Sequence, residues 1–280
     1  MMKSLEDKTV IITGGSEGVG AAAARQFAAV GSNLVLVARS KKNLDLIVDE
    51  LRGQTRVIAV AMDVRDEDAC INLFKKASFE FGSVHVLVNN AGCHNRGLFE
   101  NLALEDFDQM IDVNLKAPII LSRLAIPYLK ESGGGAIVNV ASLAGRVPLA
   151  GAAIYSATKF GLRAFTYALG QELEGTGIKL AVVSPGPIDT GFIMSNIDAV
   201  ADIVFSQPIC TADDVAREIV NICTNRKRER SITPMSGLLT TVSYLFPAIS
   251  RMLRPALNAK GRRVKKKLKA KMRSESEAEG

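Results

Sequence analysis

Thr9-Val10-Ile11-Ile12-Thr13-Gly14-Gly15-Ser16-Glu17-Gly18-Val19-Gly20 joins a β-branched apolar run to a turn with four glycines, and the alanine-rich stretch 21–29 follows. Five β-branched residues in a row, with an apolar centre, read as a strand covered on both faces. Glycines at the strand end permit a tight turn and let the backbone approach a pyrophosphate at the positive N-terminus of the next helix. The same rhythm repeats outward. Asn33–Ala38, Val57–Met62, Val84–Asn89, Ala136–Ala141 and Lys179–Ser184 are strand-like, and Gly20–Val30, Leu44–Leu51 and Glu67–Phe81 are helix-like. Strands without polar alternation belong to parallel sheets buried by helices on both faces. With right-handed crossovers, this predicts an α/β fold: one Rossmann-type doubly wound parallel sheet over residues 1–234. A C-terminal extension, apolar and then basic, occupies 235–280.

Composition narrows the function classes. The 280 residues are 48% hydrophobic and 23% charged, which excludes wholesale disorder. Cys70, Cys93, Cys210 and Cys223 form no CxxC pair and there are only two histidines, so neither a disulfide scaffold nor a metal site is expected. Met1 to Lys8 is polar and leads straight into a strand, so a reduced, cytoplasmic protein without a signal peptide is expected. The net charge of +6 is uneven: eleven Lys or Arg and no acid lie between Arg251 and Arg273, three glutamates close the chain, and the first 250 residues are nearly neutral.

The second strand ends Val37-Ala38-Arg39-Ser40-Lys41-Lys42. An NAD site would place an acid there for the ribose 2′-hydroxyl. Arg39 instead offers a planar fork for a 2′-phosphate, so NADP(H) is expected in preference to NAD(H). Ser142 closes the fifth strand, and Tyr155-Ser156-Ala157-Thr158-Lys159 follows thirteen positions later. Tyr155 and Lys159, four apart, share a helix face. A free phenol titrates near pH ~10, and a neighbouring ammonium and the nicotinamide charge would lower that value. Tyr155 then serves as proton donor in reduction and acceptor in oxidation, with Ser142 on the substrate oxygen.

The glycine spacing of 14–20, Asn89-Asn90-Ala91-Gly92, and Ser142 with Tyr155 and Lys159 together resemble the short-chain dehydrogenase/reductase family over roughly residues 5 to 230. The resemblance implies that Gly14, Ser16, Glu17, Gly18, Val19 and Gly20 surround the cofactor phosphates, with Glu17 standing where many relatives carry Ser, Arg or Lys. It implies that Asp63 and Val64 meet the adenine and that Asn90, Ala91 and Gly92 line the cofactor groove. Lys159 also binds the nicotinamide ribose, and Asn114 holds a relay water. Pro185 and Gly186, with the backbone of Ile188 and the hydroxyl of Thr190, lie at the carboxamide end. Phe192 and Met194 fall on the relatives' mobile lid and suggest an apolar substrate lining. Relatives are commonly homodimers or homotetramers through the helices carrying Asn114 and Tyr155.

The expected activity is interconversion of a ketone and a secondary alcohol, on an apolar lipid-like substrate. A looser likeness to 3-ketodihydrosphingosine reductases and hydroxysteroid dehydrogenases adds to this. The alternative is a non-catalytic NADP-binding scaffold docked through its tail. Met235–Ser250 is uncharged, interrupted by Pro247 and too short to span a bilayer. An apolar patch before a basic run suits the surface of an anionic membrane, and it equally suits a pocket-closing helix with a solvated end. No aromatic residue interleaves the basic run from Lys260 to Arg273, which argues against nucleic acid.

Overall fold

A computed structural model describes residues 2–278, and all of their side chains except those of 273 and 275–278. The outermost residues of the two expected segments, 1 and 279–280, lie outside the described residues, as do the side chains of the terminal glutamates. Seven strands form one parallel sheet: β1 Thr9–Thr13, β2 Asn33–Ala38, β3 Val57–Ala61, β4 Val86–Asn89, β5 Gly135–Val140, β6 Ile178–Pro185 and β7 Glu229–Ile232. Their order is β3-β2-β1-β4-β5-β6-β7. Between them run α1 Gly18–Ala29, α2 Lys41–Leu51, α3 Glu67–Phe81, α4 Leu104–Ile111, α5 Ala117–Glu131, α6 Ala153–Glu172, α7 Gly191–Met194 and α8 Ala212–Thr224. Two helices, α9 Pro234–Leu245 and α10 Pro247–Ala278, follow the last strand.

The period-2 geometry of each strand divides its side chains between two cores. Val10 and Ile12, Leu34 and Leu36, and Val86 and Val88 pack with Phe27 of α1, Leu44 of α2 and Ile219 of α8. Their neighbours Ile11, Val35, Val37 and Leu87 pack on the other face with Phe74 of α3 and Leu121 and Leu129 of α5. Both faces of the central strands are covered, so most of their positions carry apolar or β-branched residues. β3 and β7 are the two edges of the sheet, and the residues of β3 are partly buried or, at Ala61, exposed. Chain order reverses between β1 and β4, and a crevice opens at the carboxyl ends of those two strands, where ligands bind in open α/β sheets.

Asn90 bridges the reversal. Its Nδ2 donates to the Thr13 carbonyl at 3.0 Å and the Gly14 carbonyl at 3.3 Å, while Thr13 Oγ1 accepts from the Asn90 and Ala91 amides, each at 3.0 Å. The crevice therefore has a fixed floor.

Candidate active site

At the end of β1, Gly14 has φ +65°, and a Cβ there would lie 2.9 Å from Asn90 Nδ2. Only glycine fits that backbone. Gly20 lies beneath the turn, where a Cβ would come within 1.9 Å of the Gly14 carbonyl oxygen; it spaces the turn and does not line the cavity. Glu17 is the extended residue before α1, and no side chain caps the helix, so its first N–H groups remain available to an anion. Gly14, Ser16, Glu17, Gly18 and Val19 form one end of a cavity of about 1550 Å³. A single ligand typically fills roughly 300–1,000 Å³, so a dinucleotide and a substrate fit together. The residues present therefore suit a dinucleotide.

Arg39, exposed at the end of β2, lines the same cavity and forms no hydrogen bond or ion pair among the described residues. Asp63 and Val64 stand beside it after β3. Asp63 is gripped by Arg65, at 3.1 Å through Nε and 2.8 Å through NH2, and that contact holds its carboxyl below the ordinary value. Asn90, Ala91 and Gly92 line the centre, and Pro185, Gly186, Ile188 and Thr190 line the side beyond β6.

Ser142, Tyr155 and Lys159 meet at the middle of the cavity. The extended backbone after β5 places Ser142, whose hydroxyl accepts from the Ala144 amide at 3.1 Å and stands beside the Tyr155 phenol. Burial pushes the Tyr155 phenol up, against the pull of the Ser142 hydroxyl and the Arg96 charge. Lys159 lies 5.7 Å from the centre of the Tyr155 ring and donates to the Val140 carbonyl at 3.0 Å. Burial lowers the Lys159 ammonium to about 8. Arg96 is the cation whose charge bears on the phenol.

Asn114 is fully buried and sits just outside the cavity. It lies in a π turn, Asp112–Lys116, that joins α4 to α5. Its carboxamide accepts from the Cys93 amide at 2.9 Å and donates to the Cys93 carbonyl at 2.8 Å. A further donation reaches Thr158 Oγ1 at 3.4 Å. The side chain is thus spent on fixing the loop after Gly92.

The far wall comes from the expected lid and from the two C-terminal helices. Phe192 lines the cavity, 6.4 Å from the rings of both Tyr155 and His94. Met194, expected on the substrate side, does not line the cavity; it packs with Ile197 and Phe205 behind Ile193, which does, because two residues along a helix turn it away from the face that Phe192 occupies. Leu239 and Tyr244 of α9 and Arg251, Leu253, Arg254 and Leu257 of α10 close the wall. Further along, α10 binds the lid. Lys265 Nζ donates to the Asp198 and Val200 carbonyls at 3.1 and 2.7 Å, Arg262 pairs with Asp202 at 3.1 Å, and Lys269 pairs with Asp198 at 2.7 Å. A Cβ at Gly261 would sit 1.8 Å from the Asp202 carbonyl oxygen, so the helix touches the lid backbone there.

Loop 92–97 holds two more residues that motifs missed. His94 stacks on Tyr155 with centroids 4.1 Å apart and planes 10° from parallel, and Arg96 NH1 lies 2.9 Å from His94 Nδ1. The available signal was their place just past a strand at the sheet's carboxyl edge. Cys93 is partly buried with its thiol pushed up, the state of an unreactive cysteine.

A parallel sheet with a glycine turn at its reversal, and a Ser-Tyr-Lys cluster at its carboxyl edge, defines a nicotinamide-dinucleotide oxidoreductase. The family model described as short chain dehydrogenase matches residues 8–200, and the chain belongs to that family. It is 36% identical over 256 residues to the ketoacyl reductase HetN of Nostoc sp., covering 89% of this chain and 87% of that one. It is 38% identical over 187 residues to sulfoacetaldehyde reductase 2 of Chromohalobacter salexigens, covering 66% and 74%. A crystal structure of a short chain dehydrogenase from Burkholderia cenocepacia, in complex with NADP, superposes with a TM-score of 0.74 at 32% identity, covering 82% of this chain and 97% of that one.

Proposed function

We propose that this oxidoreductase uses NADP(H) in preference to NAD(H) to interconvert a ketone and a secondary alcohol on an apolar, lipid-like substrate, with Tyr155 as general acid and base. The carrying observation is one continuous cavity with unpaired Arg39 at one end, the Ser142–Tyr155–Lys159 cluster in the middle and an apolar wall at the other. Bound NADPH supplies the hydride. Ser142 holds the carbonyl oxygen, and Tyr155 gives that oxygen its proton. Lys159, a buried amine bonded to a strand carbonyl, turns to the cofactor ribose and lowers the phenol's proton affinity. Arg39 pairs with the 2′-phosphate. Two relatives named as reductases and a neighbour bound to NADP support this reading. A ketone panel from short acyl to long-chain and steroid compounds, run with NADPH and with NADH, tests it. Turnover of long-chain or steroid ketones with NADPH is expected; no ketone reduced, or NADH preferred, would contradict it.

The exposed faces of α9 and α10 support peripheral association with an anionic membrane. Met235, Leu238, Leu245, Phe246, Ile249 and Met252 are 45–73% exposed, beside the cavity mouth. Lys260, Arg263, Lys266 and Lys267 are exposed further along α10. No helix among the described residues is long and apolar enough to cross a membrane, so the segment would lie in the interface. Each basic residue near an anionic surface adds about 1 kcal/mol. The protein should float with anionic vesicles at low salt, and Phe246→Asp with Met252→Asp should abolish flotation while NADPH binding persists. Failure of the intact protein to float removes this part of the reading. Ile111 and Ile119, exposed on α4 and α5, support pairing of two copies there, which sedimentation would read as a dimer or tetramer.

A further inference from the structure

Arg96 is half-buried in the cavity wall, and no carboxylate pairs with it among the described residues. A guanidinium in that position is costly unless its donors are used. Two of them are. NH2 donates to the Phe192 carbonyl at 2.9 Å, and NH1 meets His94 Nδ1 at 2.9 Å. The guanidinium also lies over the Phe192 ring, 5.6 Å from its centroid. Because arginine only donates, Nδ1 must accept, and the proton of the neutral imidazole sits on Nε2. Burial and the neighbouring Arg96 charge lower His94 to about 3, so the ring is uncharged at neutral pH. That neutral ring lies flat on Tyr155, 4.1 Å away.

We propose that Arg96 is a positioning residue that couples the Phe192 lid to the phenol of Tyr155 through His94. With the lid down, one guanidinium grips the lid carbonyl, fixes the imidazole tautomer and presents its charge to the tyrosine. When the lid lifts, Arg96 loses the Phe192 carbonyl and the imidazole loses its anchor. The proton donor is then fully set only behind a closed lid, which ties proton transfer to exclusion of water. The inference rests on the reading of Tyr155 as proton donor. The groups facing Tyr155 are Ser142 from the end of β5, Cys93, His94 and Arg96 from loop 92–97, and Lys159 from its own helix. Arg96 is the cation among the causes that lower the phenol's proton affinity.

The test needs no substrate. Ultraviolet difference titration of the phenolate, with Tyr155→Phe as reference, isolates one of the four tyrosines of the full-length protein. Arg96→Met should move the Tyr155 titration upward by about one pH unit or more, a tenfold change in proton affinity. Arg96→Lys should restore part of it. His94→Phe keeps a ring on Tyr155 but cannot accept from Arg96, so it should shift the titration in the same direction. On any ketone that is reduced, the alkaline limb of the kcat profile should move with the titration, with kcat lower by roughly tenfold and NADPH affinity unchanged. A folded Arg96→Met protein that titrates like wild type would overturn the proposal, and so would His94→Phe without effect. If Arg96→Met does not fold, the Arg96→Lys and His94→Phe pair decides it. A titration that shifts as expected in a protein that reduces no ketone would sink the carbonyl-reduction reading and leave the coupling standing.

Discussion

At the β1 end of the cavity the wall is mostly backbone: a glycine turn, the uncapped start of α1, carbonyls tied by the Asn90 side chain and strand-end amides tied by Thr13. At the α10 end the wall is side chains brought from far apart in sequence, with Lys265 on the carbonyls of 198 and 200 and Arg262 on Asp202. A site made of backbone is written in local spacing, because few sequences allow that turn. A site made of distant side chains exists only once the fold has brought its parts together. The first kind suits a cofactor that many relatives share, and the second can change its substrate without disturbing the first.

The sharpest way to break this division is at Glu229 on β7, which anchors the wall behind Ser142. Its carboxylate pairs with Arg146, accepts from Arg163 at 2.9 Å through both oxygens, and accepts from Tyr167 Oη at 2.7 Å. Arg146 in turn donates to Thr241 of α9 at 2.7 Å. Glu229→Gln would strand two arginines in a nearly buried site and should cost about 3 kcal/mol or more in urea unfolding. Burial raises the Glu229 pKa, but the bonds from Arg163, Tyr167 and Arg146 outweigh it and bring the carboxyl from 4.5 to about 2. A depressed carboxyl stabilises the fold above its unfolded value. That contribution, roughly 3 kcal/mol at most, should therefore be complete above pH 4.5 and lost as pH falls toward 2. Wild-type stability should fall more steeply than that of Glu229→Gln across that window.

Arg39→Ala addresses the cofactor end. A charge-assisted bond to phosphate is worth roughly 1.5–3 kcal/mol, so NADPH affinity should fall about tenfold to a hundredfold while NADH affinity barely moves. Equal losses would show that Arg39 does not read the 2′-phosphate. The smallest effect is expected at the lid. Lys265→Met removes the donor to two lid carbonyls and should raise substrate KM severalfold, with NADPH affinity unchanged. If NADPH binding weakened as much as KM rose, the two ends of the cavity would not be separable.

These differences account for what could be read from the chain alone. β1 and β2 run over the residues their patterns suggested, because an uninterrupted β-branched run buried on both faces has few alternatives. The glycine turn and Ser142, Tyr155 and Lys159 were legible because each depends on backbone geometry or helical spacing. β7 was not: Glu229-Arg230-Ser231-Ile232 is polar, and it forms a strand only because β6 offers a free edge and Arg146 and Arg163 neutralise its acid. Arg96 was hidden for a similar reason, since its partners come from residues 94 and 192. The tail read equally as membrane segment or pocket wall; in the structure the start of α10 lines the cavity and its basic residues hold the lid. Met194 shows the limit of transfer by resemblance, because the two positions from Phe192 to Met194, about half a helical turn, separate a cavity residue from a packing residue.

The central claim is that Tyr155 delivers the proton to a carbonyl held beside the cofactor. The direct measurement is NADPH consumption by wild-type and Tyr155→Phe protein with the best ketone of the panel, alongside NADPH affinity for both. Removing only the phenolic hydroxyl should lower kcat by about a hundredfold or more and leave NADPH affinity intact. A folded Tyr155→Phe protein with near-normal turnover would contradict the claim.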